Sequence, residues 1–341
     1  MDLFSTNSLN GVVESLKRTP AFLLNTFFRQ VETSDTEEIH FDVEIDGKKR
    51  RLAPFVHPLK EGKLVESRGY ETKTFRPAYI KDKRVHDATR PFKRTAGEQI
   101  GGSMNVTPAQ RQQINLTRDL RDQVDMLTRR FEVMSCEALR TGSITVKGEG
   151  YDTVVINFGR AANLTIAKTV GTKWGDAGVS PTKDLEAWAM LVLKGSGSSV
   201  RNIVMDPDAW DKYRQDPLLD KKLDFAKVKS GEINIGTLPE HVQYKGNDGT
   251  FDLWVYADWY VDPDTNEETP MLPSGTVIGA GDLMGVRHFG AIKDEEAGFQ
   301  AREYFSKSWV VQDPSARFLL MQSAPLMVPY RPNASFCATV L

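Results

Sequence analysis

The stretch from Thr107 to Thr141 constrains the fold more than any other part of the chain. Leu116, Leu120, Val124, Leu127, Phe131, Met134 and Ala138 follow one another at spacings of 4, 4, 3, 4, 3 and 4. That period draws one apolar stripe along one face of a helix. Thr107 suits the N-cap, Pro108 the first helical position, and Gln110 the reciprocal partner of a capping box. Gly142 is placed to end the helix. Some 34 residues rising about 1.5 Å each make a rod of roughly 50 Å. A compact chain of 341 residues has a radius of gyration of only about 20 Å. The helix must therefore cross the whole protein as a spine. A coiled coil is the alternative, but regular flanking charges are missing, so a packed core helix is expected.

Strand patterns lie on both sides of this helix, without regular βαβ alternation, and the expected fold class is α+β. "SITVKGEGYDTVVINFG" reads as a β-hairpin turning near Gly148–Gly150, "PTKDLEAWAMLVLK" as a helix, and "VRNIVMD" as a buried strand. "PLLDKKLDFAKVK" reads as a short helix, and "HVQYKG" and "FDLWVYADWYVD" as strands joined at "NDG". The C-terminal part is strand-rich. "TAGEQIGGSMNV", before the spine, is expected to be a flexible joint. The two short apolar clusters of the first forty residues, split by Pro20, look more like an arm than a domain.

A 40 % apolar, 26 % charged chain is globular rather than disordered. Two cysteines, Cys136 and Cys337, cannot make a disulfide framework, and a reducing compartment is the default. No basic-then-apolar leader opens the chain, and its longest apolar run, "WAMLVL", is far too short to cross a bilayer. No membrane association is expected.

The net charge of −2 hides an asymmetry. Residues 48–94 hold fifteen Lys/Arg against five Asp/Glu, a balance of +10, which leaves −12 for the remainder. The preceding segment 32–46 has seven acidic residues and no Lys or Arg. Opposite patches on one chain suit contact between subunits and oppose wrong registers. A solvated surface is the plainer reading. Within the block, "ESRGYETKTFRPAYIKDKRVHD" (66–87) looks like a β-hairpin with almost nothing to bury. It is expected to be dispensable to the core, with Tyr70, Phe75 and Tyr79 packing on a neighbouring subunit. Arg68, Lys73, Arg76, Lys81, Lys83 and Arg84 would complete that contact. The rival use of 48–94 is nucleic-acid binding, since aromatic residues interleave its cations, but no known nucleic-acid motif accompanies it.

No segment reads as catalytic. "TVIGAGDLMG" (276–285) approaches a dinucleotide-binding loop, but "VRHFGAI" follows as a strand where a helix is required. A Gly-rich turn between strands is expected. "DPDTNEE" (262–268) starts like a calcium loop, yet Glu267 stands where the turn needs Gly and Pro273 where the loop needs Glu. The five histidines have no ligand spacing. No enzyme activity, cofactor or metal is expected.

Taken in order, arm, polar hairpin, joint, spine, β-pair, α/β insertion and C-terminal strands resemble the capsid fold of tailed phages and herpesviruses. "TPAFLLNTFFRQ", "APFVHPLKEGKLVESRGYETKTFRPAYIKDKRVHD", "GEGYDTVVINFGR", "VMDPDAWDKYR", "VIGAGDLMGVRHFGAIKD" and "SWVVQDPSARFLLMQSAPLMVPYRPNASF" are similar to segments of the lambda-like major capsid proteins. The resemblance is colinear over nearly the whole chain. It implies a shell protein that self-assembles through hexamers and pentamers around double-stranded DNA. It further implies scaffolding, portal and decoration proteins as partners, and only non-specific contact with packaged DNA. The protein would reside in a virion capsid built in the cytoplasm of a bacterial host. By the same resemblance, 1–47 is an N-arm, 48–100 the E-loop region, and 101–160 the P-domain spine helix and β-hairpin. Residues 161–285 are then the A-domain, and 286–341 the C-terminal strands returning to the P-domain. Some relatives cross-link a lysine of the E-loop to a neighbour's asparagine; no motif marks such a pair here.

Overall fold

The computed structural model describes residues 4–16, 20–36, 38–44, 52–64, 70–87, 89–93, 107–148, 150–219, 223, 233, 238–313 and 316–341. In chain order come α1 (Thr6–Ser15), α2 (Phe22–Phe27), β1 (Gln30–Ser34), β2 (Ile39–Glu44), β3 (Tyr70–Phe75) and β4 (Ile80–Asp87). The spine α3 (Pro108–Thr141) follows, then β5 (Ser143–Gly148), β6 (Tyr151–Asn157), β7 (Thr165–Ala167), α4 (Pro181–Ser196), β8 (Asn202–Met205) and α5 (Pro207–Tyr213). The rest is β-structure: β9 (Val242–Asn247), β10 (Asp252–Tyr256), β11 (Trp259–Val261), β12 (Glu268–Pro270), β13 (Thr276–Ala280) and β14 (Gly285–Gly290). It ends with β15 (Phe305–Val311), β16 (Ala316–Ser323), β17 (Pro325–Pro329) and β18 (Ser335–Thr339). The class is α+β, as expected.

The spine forms as its sequence dictates. The Thr107 hydroxyl accepts from Gln110 N–H and the Gln110 side chain from Thr107 N–H, closing the capping box. Gly142, at φ +72°, ends the helix in the left-handed conformation. All seven stripe residues are buried in the main core, together with Cys136 and Leu139. Cys136 donates to the Met271 carbonyl and is a core thiol.

Two cores flank one six-stranded sheet of order β7–β18–β13–β8–β10–β9. One side faces the spine. The other packs on α4 and α5 through Trp174, Trp188, Tyr213 and Phe336. β8 and β10 are parallel, and β9 and β10 form the hairpin expected at "NDG". β5 and β6 pair as a separate antiparallel ribbon, and so do β11 and β12.

Three expectations are corrected. First, 66–87 is not a hairpin. β3 pairs antiparallel with β2, whereas β4 joins β16 in the sheet β15–β16–β4. Pro77 lies between the two strands and sits close to Gly290, and each strand pairs with a strand distant in the sequence. Second, part of the segment read as an arm packs into the body. Phe22, Leu23, Leu24, Phe27 and Phe28 are buried in the main core, and β1 runs parallel to β14. A run of five large apolar residues is worth far more inside than outside, at about 1.5–3 kcal/mol each. Third, the C-terminal strands divide. β15 and β16 join β4, and β14 and β17 join β1, but β18 enters the six-stranded sheet between β7 and β13. The apolar "SFCATV" run is short and continuous, which suits a central strand buried on both faces. The expected joint before the spine, and most of the short helix expected at 217–229, lie outside the described residues.

The Gly-rich stretch 276–285 is β13 followed by a turn into β14, as expected. Its glycines serve close packing. A Cβ on Gly279 would lie 2.0 Å from the Phe336 ring, and one on Gly285 would lie 2.2 Å from the Phe27 carbonyl oxygen. Backbone cannot retreat as a side chain can, so Gly285→Ala is expected to cost about 2–3 kcal/mol by overpacking. A urea melt measures it; a loss below about 0.5 kcal/mol would mean the turn is free to move.

Candidate assembly interface

The sequence proposed nine residues as a subunit contact. Arg68 lies outside the described residues, and Tyr70 opens β3. Most of the others are engaged within the chain. Lys73 donates to the Asn157 carbonyl at 2.7 Å, and Arg76 pairs with Glu38 at 3.0 Å. Phe75 packs against the main core. Tyr79 packs against Ile292, Ala297, Phe305 and Ala324, and its hydroxyl donates to the Ala291 carbonyl. Phe75 and Tyr79 thus find a core in their own chain, contrary to expectation.

Arg84 belongs to a charged clamp on the spine. Its guanidinium meets Asp82 at 3.1 Å, Asp119 at 3.6 Å and Asp122 at 2.7 Å. Asp119 also lies 2.9 Å from His86 Nε2 and 2.8 Å from Arg90. Gln123, fully buried, donates to the Asp82 carbonyl. Burial alone would raise the Asp119 carboxyl. The close His86 imidazole and the Arg90 guanidinium, which donates to the carboxylate at 3.0 Å, outweigh it and hold the group at about 2. A depressed carboxyl contributes stability above its ordinary value near 3.8, and loses it as pH falls towards about 2. Urea melts should therefore weaken between pH 4 and pH 2, and Asp119→Asn should flatten that part of the profile. An unchanged slope in the variant would assign the acid loss to other groups.

These partners reduce the +10 block to fewer available cations than its charge implies. Lys81 and Lys83 stay exposed on β4, each beside an aromatic ring: Lys81 Nζ is 5.5 Å from Tyr79, and Lys83 Nζ is 4.1 Å from Phe318. Residues opposite one another in an antiparallel pair share a face. Lys83, Leu320 and Lys307 therefore form one row and Val85, Phe318 and Trp309 the next. The Trp309 and Phe318 rings stack at 5.5 Å. This is a half-exposed aromatic face edged by lysines, on the side of the sheet away from the spine.

The most exposed element lies within 48–100 but outside the nine residues singled out as the contact. Between β2 and β3 the chain makes a long excursion, of which 52–64, "LAPFVHPLKEGKL", is described, and every residue of it is exposed. Leu52, Phe55, Leu59 and Leu64 stand at 90 % or more of full exposure. A soluble chain rarely leaves four large apolar groups in one uncovered segment unless something covers them. The signal was present: Pro54 and Pro58 bar a regular helix or ladder, although Leu52, Phe55, Val56 and Leu59 stand at helical spacing.

Other candidates carry structural duties. Asp262 and Asp264 sit at the β11–β12 tip, where Asp264 pairs with Lys147 at 2.7 Å. Among the described residues no group of three His, Cys, Asp or Glu side chains is arranged to hold a metal. No described helix is long and apolar enough to cross a membrane.

The sequence matches the phage major capsid protein E family over residues 5–340. It is 30 % identical over 343 residues to the major capsid protein of Escherichia phage lambda, across 98 % of each chain. It is equally close, 30 % over 345 residues and 98 % of each chain, to the major capsid protein of Enterobacteria phage phi80. Among solved structures, one described as the capsid protein of an Escherichia coli CFT073 prophage superposes with a TM-score of 0.74. It is 22 % identical, and the match covers 99 % of both chains. A phage-related protein from Bordetella bronchiseptica shares the fold more distantly, with a TM-score of 0.54 at 11 % identity over 98 % and 96 % of the chains. A spine helix, two cores on one sheet, a projecting apolar loop and a full-length family match agree: the chain belongs to the phage major capsid protein E family, and is a structural protein of a phage head rather than an enzyme.

Proposed function

We propose that subunits of this shell protein engage one another chiefly through the excursion between β2 and β3, with 52–64 as its contact segment. The observation that carries this is the exposure of Leu52, Phe55, Leu59 and Leu64 on a segment that buries nothing in its own chain. In the vocabulary of the fold, this excursion is the part of the 48–100 E-loop region that makes the contact. The spine and its flanking strands then act as the P-domain, and the six-stranded sheet with α4 and α5 as the A-domain that meets its copies at the symmetry axes. A few apolar anchors, repeated over many copies, give a contact that is weak singly and strong in sum. Lys81 and Lys83, with Lys73, Arg76 and the aromatic face beside them, form the second part of the contact. Arg68 and Tyr70 would extend it from the loop side. Scaffolding, portal and decoration proteins are the further partners of this reading, and packaged DNA touches the lining without sequence preference.

A photo-cross-linking residue at position 59 tests it. In assembled particles it should give bands of two subunits joined through the loop. Cross-links confined to single chains, in particles that are visibly closed, would overturn the assignment.

A further inference from the structure

Residues 21–34 are fastened to the body at two places where a titratable group is buried. At the first, Glu132 of the spine is only 2 % exposed. Its Oε1 accepts from Leu23 N–H at 2.8 Å and from Tyr256 O–H at 3.1 Å, and its Oε2 from Leu24 N–H at 2.8 Å. One carboxyl thus ties α2 to both the spine and β10. The opposite end of α2 is held by Arg287 of β14, which donates to the Leu24 and Phe28 carbonyls and to Asn25 Oδ1.

At the second place, His288 of β14 is 3 % exposed. Tyr330 O–H donates to Glu32 of β1 at 2.8 Å. With its proton given away, the Tyr330 oxygen accepts from His288 Nε2–H, also at 2.8 Å. His288 thus holds β1 through Tyr330. Glu32 itself is 3.5 Å from the imidazole.

We propose that docking of residues 21–34 is gated by pH through Glu132, and that it loosens as the solution turns alkaline. Burial pushes Glu132 up to about 7 from an ordinary 4.5, with a further push from Asp258; the three donors only partly oppose this. A carboxyl raised on folding stabilises below its unfolded value and loses that contribution as pH rises to about 7. Burial lowers His288, with Glu32 opposing. An imidazole lowered on folding stabilises above 6.5 and loses that contribution as pH falls below it. The two slopes are opposite and overlap below pH 6.5, where they offset one another; between about 6.5 and 7 only the Glu132 slope remains, and docking loosens there.

The charged neighbours leave these signs in place. Around Glu132 lie Tyr256 and Asp258, Cys136 on the same helix, and Arg287 at the far end of α2. His241 meets the Tyr256 ring edge-on at 5.7 Å. Around His288 lie Glu32, Tyr330 and the Phe41 ring, with Asp42 acting on Tyr330. Because β1 leads into β2 and so into the excursion that bears 52–64, release of this segment would unseat the root of that loop. The effect on shells rests on the reading given above; the docking itself does not.

Amide hydrogen exchange of the full chain separates the two. Peptides covering 21–34 are followed between pH 5 and pH 8.5, corrected for intrinsic rate, against spine residues 124–139 as the internal reference. Protection of 21–34 should fall severalfold between pH 6.5 and pH 8.5, while the reference stays flat. Glu132→Gln should abolish the alkaline fall, and His288→Gln should leave it in place. If either variant fails to fold, the wild-type profile still decides. Flat protection of 21–34 over that range, a fall that survives Glu132→Gln, or a spine that opens in parallel would each overturn the proposal. Loss of shells without loss of protection would fault the assembly reading instead.

Discussion

A chain lacking residues 52–64, closed by a short Gly/Ser link, is expected to remain folded and cooperative but to build no shells. Every residue removed is exposed, so no buried apolar area is lost from the chain itself. β2 and β3 keep their register from Ile39↔Phe75 to Glu44↔Tyr70. Roughly halving the excursion changes loop-closure entropy by only about 0.6 kcal/mol, in the stabilising direction. Calorimetry should therefore show a melting temperature within about 2–4 °C of wild type. Negative-stain microscopy under conditions where wild type assembles should show no closed particles. Normal shells would sink the role given to Leu52, Phe55, Leu59 and Leu64. Removal of 66–87 makes the informative contrast. That stretch reads as dispensable in the sequence, but it carries β3, β4, Arg84, His86 and the packing of Tyr79. Its deletion should leave no cooperative unfolding transition.

The second large effect is expected at Glu132. Glu132→Ala strips two backbone N–H groups of α2 and the Tyr256 hydroxyl of their acceptor, all at buried positions. Each unsatisfied buried donor costs about 1–3 kcal/mol. Three such costs do not simply add, so a loss of about 3–5 kcal/mol is expected. That is a large share of the total stability of about 5–15 kcal/mol typical of a domain. Arg129→Ala, on the solvent side of the same helix, should stay within about 0.5 kcal/mol. Chemical denaturation of the two variants decides it. A Glu132→Ala loss near that of Arg129→Ala would show that water or a local shift replaces the carboxylate. The pair also separates burial from helix propensity, since alanine is the best helix former and cannot itself weaken the spine.

Much of this was legible in the chain because it rests on local chemistry. The spine announced itself by spacing and caps, and Thr107, Gln110 and Gly142 act as their types require. The turn after β13 could be told from a cofactor loop because a strand pattern followed it. The β5–β6 and β9–β10 hairpins were marked by glycine and by "NDG". The excursion at 52–64 was harder to see. Its proline-punctuated apolar residues could have lined a core or reached outside, and composition does not distinguish the two.

By itself, then, the sequence determined the spine and its end points, the β5–β6 and β9–β10 hairpins, the helix α4 and the family resemblance. Each of these follows from residue types a few positions apart. Tertiary structure alone decided the partners. It sent β3 to β2 and β4 to β16, drew β18 into the six-stranded sheet, and buried α2 against the spine. It also engaged Arg76 and Arg84 with Glu38, Asp82, Asp119 and Asp122, while leaving 52–64 uncovered. The physical reason is that strand pairing and ion pairing join groups far apart in the chain. Many pairings satisfy the same backbone and the same charges, and the choice among them is made by whole-molecule packing, in which each buried surface must find its complement at once.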